Sequence, residues 1–253
     1  MPDRTATDGG VSADSRDAVV VCGGAGGIGR ACAAWFAERY PTVVLVDVDA
    51  DAVGAAADAV GARAIVADLT DPSAVRVAFD EIASFARTAV LVNATGAVGS
   101  GAVEDIGLDD WNRVLTVNLT SAFLCAQAAI PQLRDGSWGK VVNLSSVNAR
   151  TGGNDLSGAA YAVAKAGIGA LTRHLARSLA PAVQVNAVAP GPVRTPMLDR
   201  LTDVELDGLV AALPAGRIAE PEEIAAAVGF LASREADYVT GVTLDQNGGG
   251  WIG

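Results

Sequence analysis

Two polar side chains stand four residues apart in a stretch that is otherwise small and apolar, Tyr161-Ala162-Val163-Ala164-Lys165. On a helix, residues spaced i, i+4 share a face, so a phenol and an ammonium would lie side by side. A free tyrosine ionises near pH ~10. A neighbouring ammonium favours the phenolate and moves the group toward service as an acid/base near neutrality. Taken alone, the spacing is one that chance places on many helix surfaces. Here Ala166-Gly167-Ile168-Gly169-Ala170-Leu171 follows, which leaves the pair as the polar feature of a packing face.

The second chemistry-bearing stretch is Gly23-Gly24-Ala25-Gly26-Gly27-Ile28-Gly29. Glycines close a turn tightly, admit backbone N–H groups to a pyrophosphate, and let the next helix present its positive N-terminus to that anion. Two registers fit, Gly24/Gly26/Gly29 and Gly23/Gly27/Gly29. A glycine pattern alone is weak, but this one lies between the first apolar run and the first helical pattern, the context the motif needs. Asp47 follows eighteen residues after Gly29. A carboxylate there can accept from the adenosine ribose hydroxyls and would repel a 2′-phosphate, and Val48 supplies no opposing charge. The pattern predicts NAD(H) rather than NADP(H).

The elements that must carry these residues are legible as alternating segments. Short apolar runs at 18–22, 43–46, 64–67, 89–92, 141–144, 183–188 and, more weakly, 242–244 are mostly Val-rich without polar alternation, as in strands buried on both faces of a parallel sheet. Helical patterns lie between them at 27–39, 50–60, 73–86, 109–133, 159–179 and 221–231. The alternation predicts one doubly wound α/β (Rossmann) domain over 18–253, with a mostly parallel sheet of about seven strands flanked by helices. Residues 1–17 are polar and read as a disordered tail, not a signal peptide. Residues 190–216, rich in Pro and charge, read as an irregular binding loop or lid.

With 18 basic against 29 acidic residues, the net charge is −11, which argues against nucleic acid or an anionic membrane as partner. No stretch approaches transmembrane length by its apolar runs. Cys22, Cys32 and Cys125 are scattered among apolar neighbours without metal spacing, as expected of reduced core thiols in a cytoplasmic protein. The carboxylates Asp47, Asp49 and Asp51 imitate a calcium loop but lack its glycine and closing Glu. His174 is the single histidine, so neither a Ser-His triad nor a zinc site is expected.

Ser145-Ser146 ends the 141–144 run, and Asn118 lies inside the 109–133 helix. Together with Asp68, Asn93-Ala94-Thr95-Gly96, Pro190-Gly191, Leu213-Pro214-Ala215-Gly216-Arg217 and Gly248-Gly249, these residues make the chain resemble the short-chain dehydrogenase/reductase family in its single-domain form, from Ala18 to Gly249. The resemblance implies a hydride transfer between NAD(H) and a secondary alcohol or ketone. By it, Tyr161 exchanges a proton with the substrate oxygen and Ser146 hydrogen-bonds that oxygen. Lys165 binds the nicotinamide ribose and depresses the Tyr161 pKa, and Asn118 holds a water behind Lys165. Cofactor contacts are implied for Gly23, Gly27, Ile28, Gly29, Asp47, Asp68, Leu69, Asn93, Gly96, Pro190, Gly191, Val193 and Thr195, and a homotetramer for the assembly. The rivals are an NADPH-dependent biosynthetic ketoreductase and a catalytically silent dinucleotide-binding protein.

The sequence departs from the family where Cys22 replaces a Thr at the turn, where Ala94 and Thr95 replace Asn and Ala, and where Asn247 replaces an Asp. The connection from Ser146 to Tyr161 is slightly longer than the family commonly shows, so it is expected to cover the substrate pocket. Arg150, Arg194 and Arg200 could each pair with a substrate carboxylate, whereas the low charge of the loops would suit a neutral substrate. Trp251 is a core or interface candidate, less so a ligand contact.

Overall fold

The Val-rich runs become strands whose two faces are both covered, because each successive side chain of a buried parallel strand meets a different helical layer. The computed structural model describes residues 16–136 and 138–253. Its strands are β1 Asp17–Cys22, β2 Val43–Asp47, β3 Arg63–Val66, β4 Arg87–Asn93, β5 Gly139–Leu144, β6 Val183–Pro190 and β7 Thr243–Gln246. They form one parallel sheet in the order β3-β2-β1-β4-β5-β6-β7. Helices α1 Gly27–Ala37, α2 Ala50–Val60 and α9 Pro221–Ala232 share one core with Val19, Val21, Leu45, Val92 and Val142. On the other face, Val20, Cys22, Val44, Leu91 and Val141 meet α3 Pro72–Phe85, α5 Ser121–Asp135 and α7 Ala159–Leu179.

Strand order reverses between β1 and β4, and a crevice opens at the carboxyl ends of those two strands, the usual ligand position in such sheets. Packing is close where helices cross. Gly229 of α9 has no room for a Cβ because the Trp35 ring of α1 occupies it.

Three expectations need correction. The 1–17 tail runs two residues too far, since Arg16 O accepts from Arg87 N at 2.7 Å, and Asp17 opens β1, is buried, and accepts from Arg87 Nε at 2.6 Å; residues 1–15 lie outside the described residues. The 109–133 helix is α4 Leu108–Leu115, a π-helical turn Thr116–Thr120, and α5. As one helix of 28 residues it is long and apolar enough to cross a membrane by length and composition alone. The polar residues Asp109, Asp110 and Asn112 broke up its apolar runs in the sequence, and here Leu124, Cys125, Ala129 and Leu133 are buried in the core. Finally, the 190–216 segment is not irregular throughout, because it contains α8 Asp203–Ala211. Thr202 and Glu205 cap that helix reciprocally, a Thr-x-x-Glu start signal readable in the sequence.

Candidate active site

The crevice holds a cavity of about 540 Å³. The glycine turn between β1 and α1 forms one wall. Gly23 has φ +80°, and a Cβ on it would stand 2.7 Å from Thr95 N. A Cβ on Gly29 would overlap the Gly23 carbonyl, and one on Gly27 would stand 2.6 Å from Thr195 Cγ2. Gly24 is equally confined, a Cβ on it standing 2.7 Å from Leu45 Cβ, whereas Gly26 is the one glycine of either register with its nearest neighbour as far as 3.4 Å. Gly27, Ile28, Gly29, Gly96, Pro190, Gly191, Val193 and Thr195 all line the cavity. This backbone-lined cradle at a helix N-terminus fits a dinucleotide pyrophosphate.

Asp47 ends β2 beside that turn. Its Oδ2 accepts from Ala25 N at 3.0 Å and its Oδ1 from Val48 N at 2.8 Å. Asp68 and the buried Leu69 follow β3 outside the cavity wall. The Thr70 hydroxyl, at 2.6 Å, and the Thr70 N–H hold the Asp68 carboxyl below its ordinary range. Asn93 ends β4. Its amide is buried and donates to Asn143 Oδ1 at 2.8 Å, while Asn143 donates to Thr172 Oγ1 at 2.9 Å. That chain joins β4, β5 and α7, bracing the central strands where the Ala94 and Thr95 departures left their bonding open.

Tyr161, Lys165 and Ser146 face the same cavity. Helix α7 supplies the first two, and the loop after β5 supplies the third. Lys165 is buried and donates to Leu144 O at 2.9 Å and, more weakly, to Thr95 O at 3.5 Å. Burial pushes its pKa down to about 8. At Tyr161 burial dominates and holds the phenol above its ordinary value. A hydrogen bond with Ser146 and the charge of Arg200 pull it back only in part. The Lys165 Nζ lies 5.7 Å from the centre of the Tyr161 ring, its N–H groups aimed at carbonyls.

Asn118 sits in the π-helical turn, almost wholly buried. Its Nδ2 donates to Ala97 O at 2.7 Å and Val114 O at 2.8 Å, whereas Oδ1 has no partner. A Cβ on Gly96 would stand 3.2 Å from that Oδ1 and 3.6 Å from Lys165 Nζ, so the two groups converge on one glycine. Two further residues escaped sequence reasoning. Ser145 Oγ donates to Lys165 O at 2.8 Å, clamping β5 to α7. Asn148 donates its N–H to Ser146 Oγ at 3.2 Å and its Nδ2 to Ser157 Oγ at 2.8 Å, so it orients one and staples the loop. The Ser145-Ser146 doublet was the available signal for the first; for the second it was its place in the lengthened connection expected to cover the pocket.

The long Ser146–Tyr161 connection does border the cavity, through Asn148, Asn154 and Leu156. It includes a single helical turn, α6 Asn148–Thr151. Arg150 turns away to Asp245, at 3.1 and 3.0 Å, with its guanidinium 4.9 Å from the Trp251 ring centre. Arg194 pairs with Glu220 at 2.9 Å. Neither arginine lines the cavity, nor does Trp251, whereas Arg200 does. Asn247 accepts from Gly249 N at 3.0 Å and Trp251 N at 3.4 Å, folding the C-terminal segment back on itself.

Residues 23–250 match the family profile described as Enoyl-(Acyl carrier protein) reductase. The chain is 37% identical to the (2S)-[(R)-hydroxy(phenyl)methyl]succinyl-CoA dehydrogenase subunit BbsD of Thauera aromatica, over 91% of this chain and 94% of that one. It is 35% identical to the 3-oxoacyl-[acyl-carrier-protein] reductase FabG of Escherichia coli, over 91% and 95%. It is 34% identical to a 2-dehydro-3-deoxy-L-rhamnonate dehydrogenase (NAD(+)) of a Sphingomonas species, over 91% and 93%. The crystal structure of gox2181 superposes with a TM-score of 0.88 at 28% identity, covering 94% of this chain and 96% of that one.

Proposed function

The chain belongs to the short-chain dehydrogenase/reductase family, and from that premise we propose that it is an NAD-dependent dehydrogenase in which Tyr161 exchanges a proton with a secondary alcohol or its ketone. At the level of the family, it is an oxidoreductase of alcohol and carbonyl groups that uses a nicotinamide dinucleotide. The observation carrying the finer reading is that Ser146, Tyr161 and Lys165 line one cavity walled by the glycine turn. Two hydroxyl side chains on one cavity suit a substrate oxygen, not a carbon–carbon double bond.

In this reading Gly23, Gly27, Ile28 and Gly29 cradle the pyrophosphate. Asp47, Asp68 and Leu69 take the adenosine end, Asn93 borders the ribose region through its place at the end of β4, and Gly96, Pro190, Gly191, Val193 and Thr195 hold the nicotinamide end. When bound, the nicotinamide supplies or accepts the hydride at its C4. Ser146 Oγ donates to the substrate oxygen, and the Tyr161 phenol, kept protonated by burial, gives that oxygen its proton during reduction. In oxidation the proton returns to Tyr161. The Lys165 ammonium stabilises the phenolate left behind, and Asn118 Oδ1 accepts from a water that connects Lys165 to solvent.

Asp47 supports NAD over NADP. Its carboxylate is fixed at the end of β2 by backbone donors, where a 2′-phosphate would meet a like charge. The NAD(+) named for the Sphingomonas relative points the same way. The silent-protein rival has no need of Ser146, Tyr161, Lys165 and Asn118 on one cavity. We further read residues from Asp17 to 253 as one domain, in a cytoplasmic homotetramer. The free, buried cysteines suit a reducing compartment, and the exposed Phe123 and Val163 on α5 and α7 offer apolar faces between subunits. Turnover of a panel of secondary alcohols with NAD+ and NADP+, followed at the reduced-nicotinamide absorbance, tests the activity and the cofactor together. Tyr161→Phe should keep NADH binding and lose most turnover; near-normal turnover refutes its role. A monomeric mass by light scattering refutes the tetramer.

A further inference from the structure

We infer that Arg200 binds an anionic group carried by the substrate, so that the enzyme selects hydroxy acids, or hydroxyacyl groups on an anionic carrier, over neutral alcohols. The inference rests on the dehydrogenase reading above and adds the substrate class. Among the described residues only two charged side chains line the cavity, Lys165 and Arg200, and no carboxylate does. Lys165 is buried with its donors on Leu144 O and Thr95 O. Arg200 is exposed, at the cavity mouth between the turn Pro196–Leu198 and α8, and among the described residues its guanidinium has no hydrogen-bond or ion-pair partner.

The contrast with the other two candidate arginines carries the argument. Arg150 is held by both oxygens of Asp245, and Arg194 by Glu220. Glu205, whose carboxylate Arg200 influences only weakly, is instead engaged at 2.8 Å by both the N–H and the hydroxyl of Thr202 in the cap of α8. The cavity that Arg200 lines is otherwise uncharged apart from Lys165, with the apolar Leu156, Met197, Leu198, Leu201 and Leu209 beside the neutral Asn148, Asn154 and Ser157. Apolar pockets gain specificity from a few well-placed polar groups, and a guanidinium fork matches a carboxylate or phosphate. The charge of Arg200 is felt at the Tyr161 phenol, so an anion bound there shares the cavity with the proton-transfer group. A substrate with an apolar body, a reacting hydroxyl and an anionic end fits this arrangement.

The test uses the full chain and its Arg200→Leu and Arg200→Lys variants. Binding of hexanoate and of hexanoyl-CoA to the NADH complex is measured by calorimetry, which needs no turnover. Kinetics are measured on 3-hydroxyhexanoate, its methyl ester and its CoA thioester. Loss of a charge-assisted contact should weaken binding by about tenfold to a hundredfold in Arg200→Leu. The acid-to-ester ratio of kcat/KM should fall by the same factor through KM, with Arg200→Lys recovering part of it. An effect on hexanoate assigns the anion to a substrate carboxylate, and an effect on hexanoyl-CoA alone assigns it to a carrier phosphate. Lost binding in Arg200→Leu without turnover of any substrate by the wild type supports the anion site and refutes the dehydrogenase reading. Unaltered binding of both probes by Arg200→Leu, or unaltered acid-to-ester and thioester-to-ester ratios beside normal turnover, overturns the proposal.

Discussion

Replacing Lys165 with Met removes a titrating ammonium and keeps a stem of similar length, so it isolates what burying that charge costs. Burial lowers the Lys165 pKa from 10.5 to about 8. Between those values the unfolded chain holds a proton that the folded chain has released. Stability is therefore penalised below about pH 8, and the penalty fades as pH rises toward 10.5. At ~1.36 kcal/mol per pKa unit, the penalty is about 3 kcal/mol near pH 7 and about 2 kcal/mol near pH 9. The carbonyls of Leu144 and Thr95 lose their donor in Lys165→Met, an offset of about 1–3 kcal/mol that is nearly the same at both pH values. Urea unfolding of both proteins at about pH 7 and about pH 9 should show the wild type gaining about 1 kcal/mol on the variant between the two. A stability difference that stays constant across that interval refutes the assignment of a depressed lysine pKa.

Gly29→Ala places a Cβ on the Gly23 carbonyl, so NADH affinity should fall more than about tenfold, by at least ~1.4 kcal/mol, in a fluorescence titration; unaltered affinity counts against the turn as the pyrophosphate cradle. Gly229→Val forces a side chain into the Trp35 ring and should cost about 1–3 kcal/mol by denaturant unfolding, with the α1–α9 contact losing hydrogen-exchange protection first. Thr202→Ala removes the hydroxyl half of the α8 cap, costing ~1 kcal/mol. Because Leu209 of α8 lines the cavity, exchange protection in that helix should drop together with a rise in substrate KM.

The sheet was legible because burial on both faces leaves a compositional trace. Runs such as Val19-Val20-Val21 and Val43-Val44-Leu45-Val46 carry no polar alternation, and all are in the core. Tyr161 and Lys165 were legible because a helical spacing of four is local, and the glycine turn because its context is local as well. What could not be read is set by contacts distant in sequence. The pairing of Arg150 with Asp245 spans 95 residues, and it decides that this arginine leaves the pocket while Arg200 stays. The raised Tyr161 pKa likewise depends on how deeply the phenol is enclosed, which its neighbours along the chain do not determine. Helix α8 is the opposite case, a capping box visible in the sequence but hidden by the density of Pro and charge around it.

The π-helical turn at Thr116–Thr120 has a bearing on how this helix tolerates length changes. Such a turn behaves as an α-helix carrying one surplus residue, and each residue of an α-helix advances the azimuth by roughly 100°. The helix is thereby dephased along its own axis: Val114 upstream packs with Tyr161 and Ala160, while Leu124, Cys125 and Leu133 downstream point into the sheet core. Asn118 sits at the phase change. Removing a single residue from 116–120 would restore ideal winding and rotate one half against the other, so the more regular helix would make the worse enzyme.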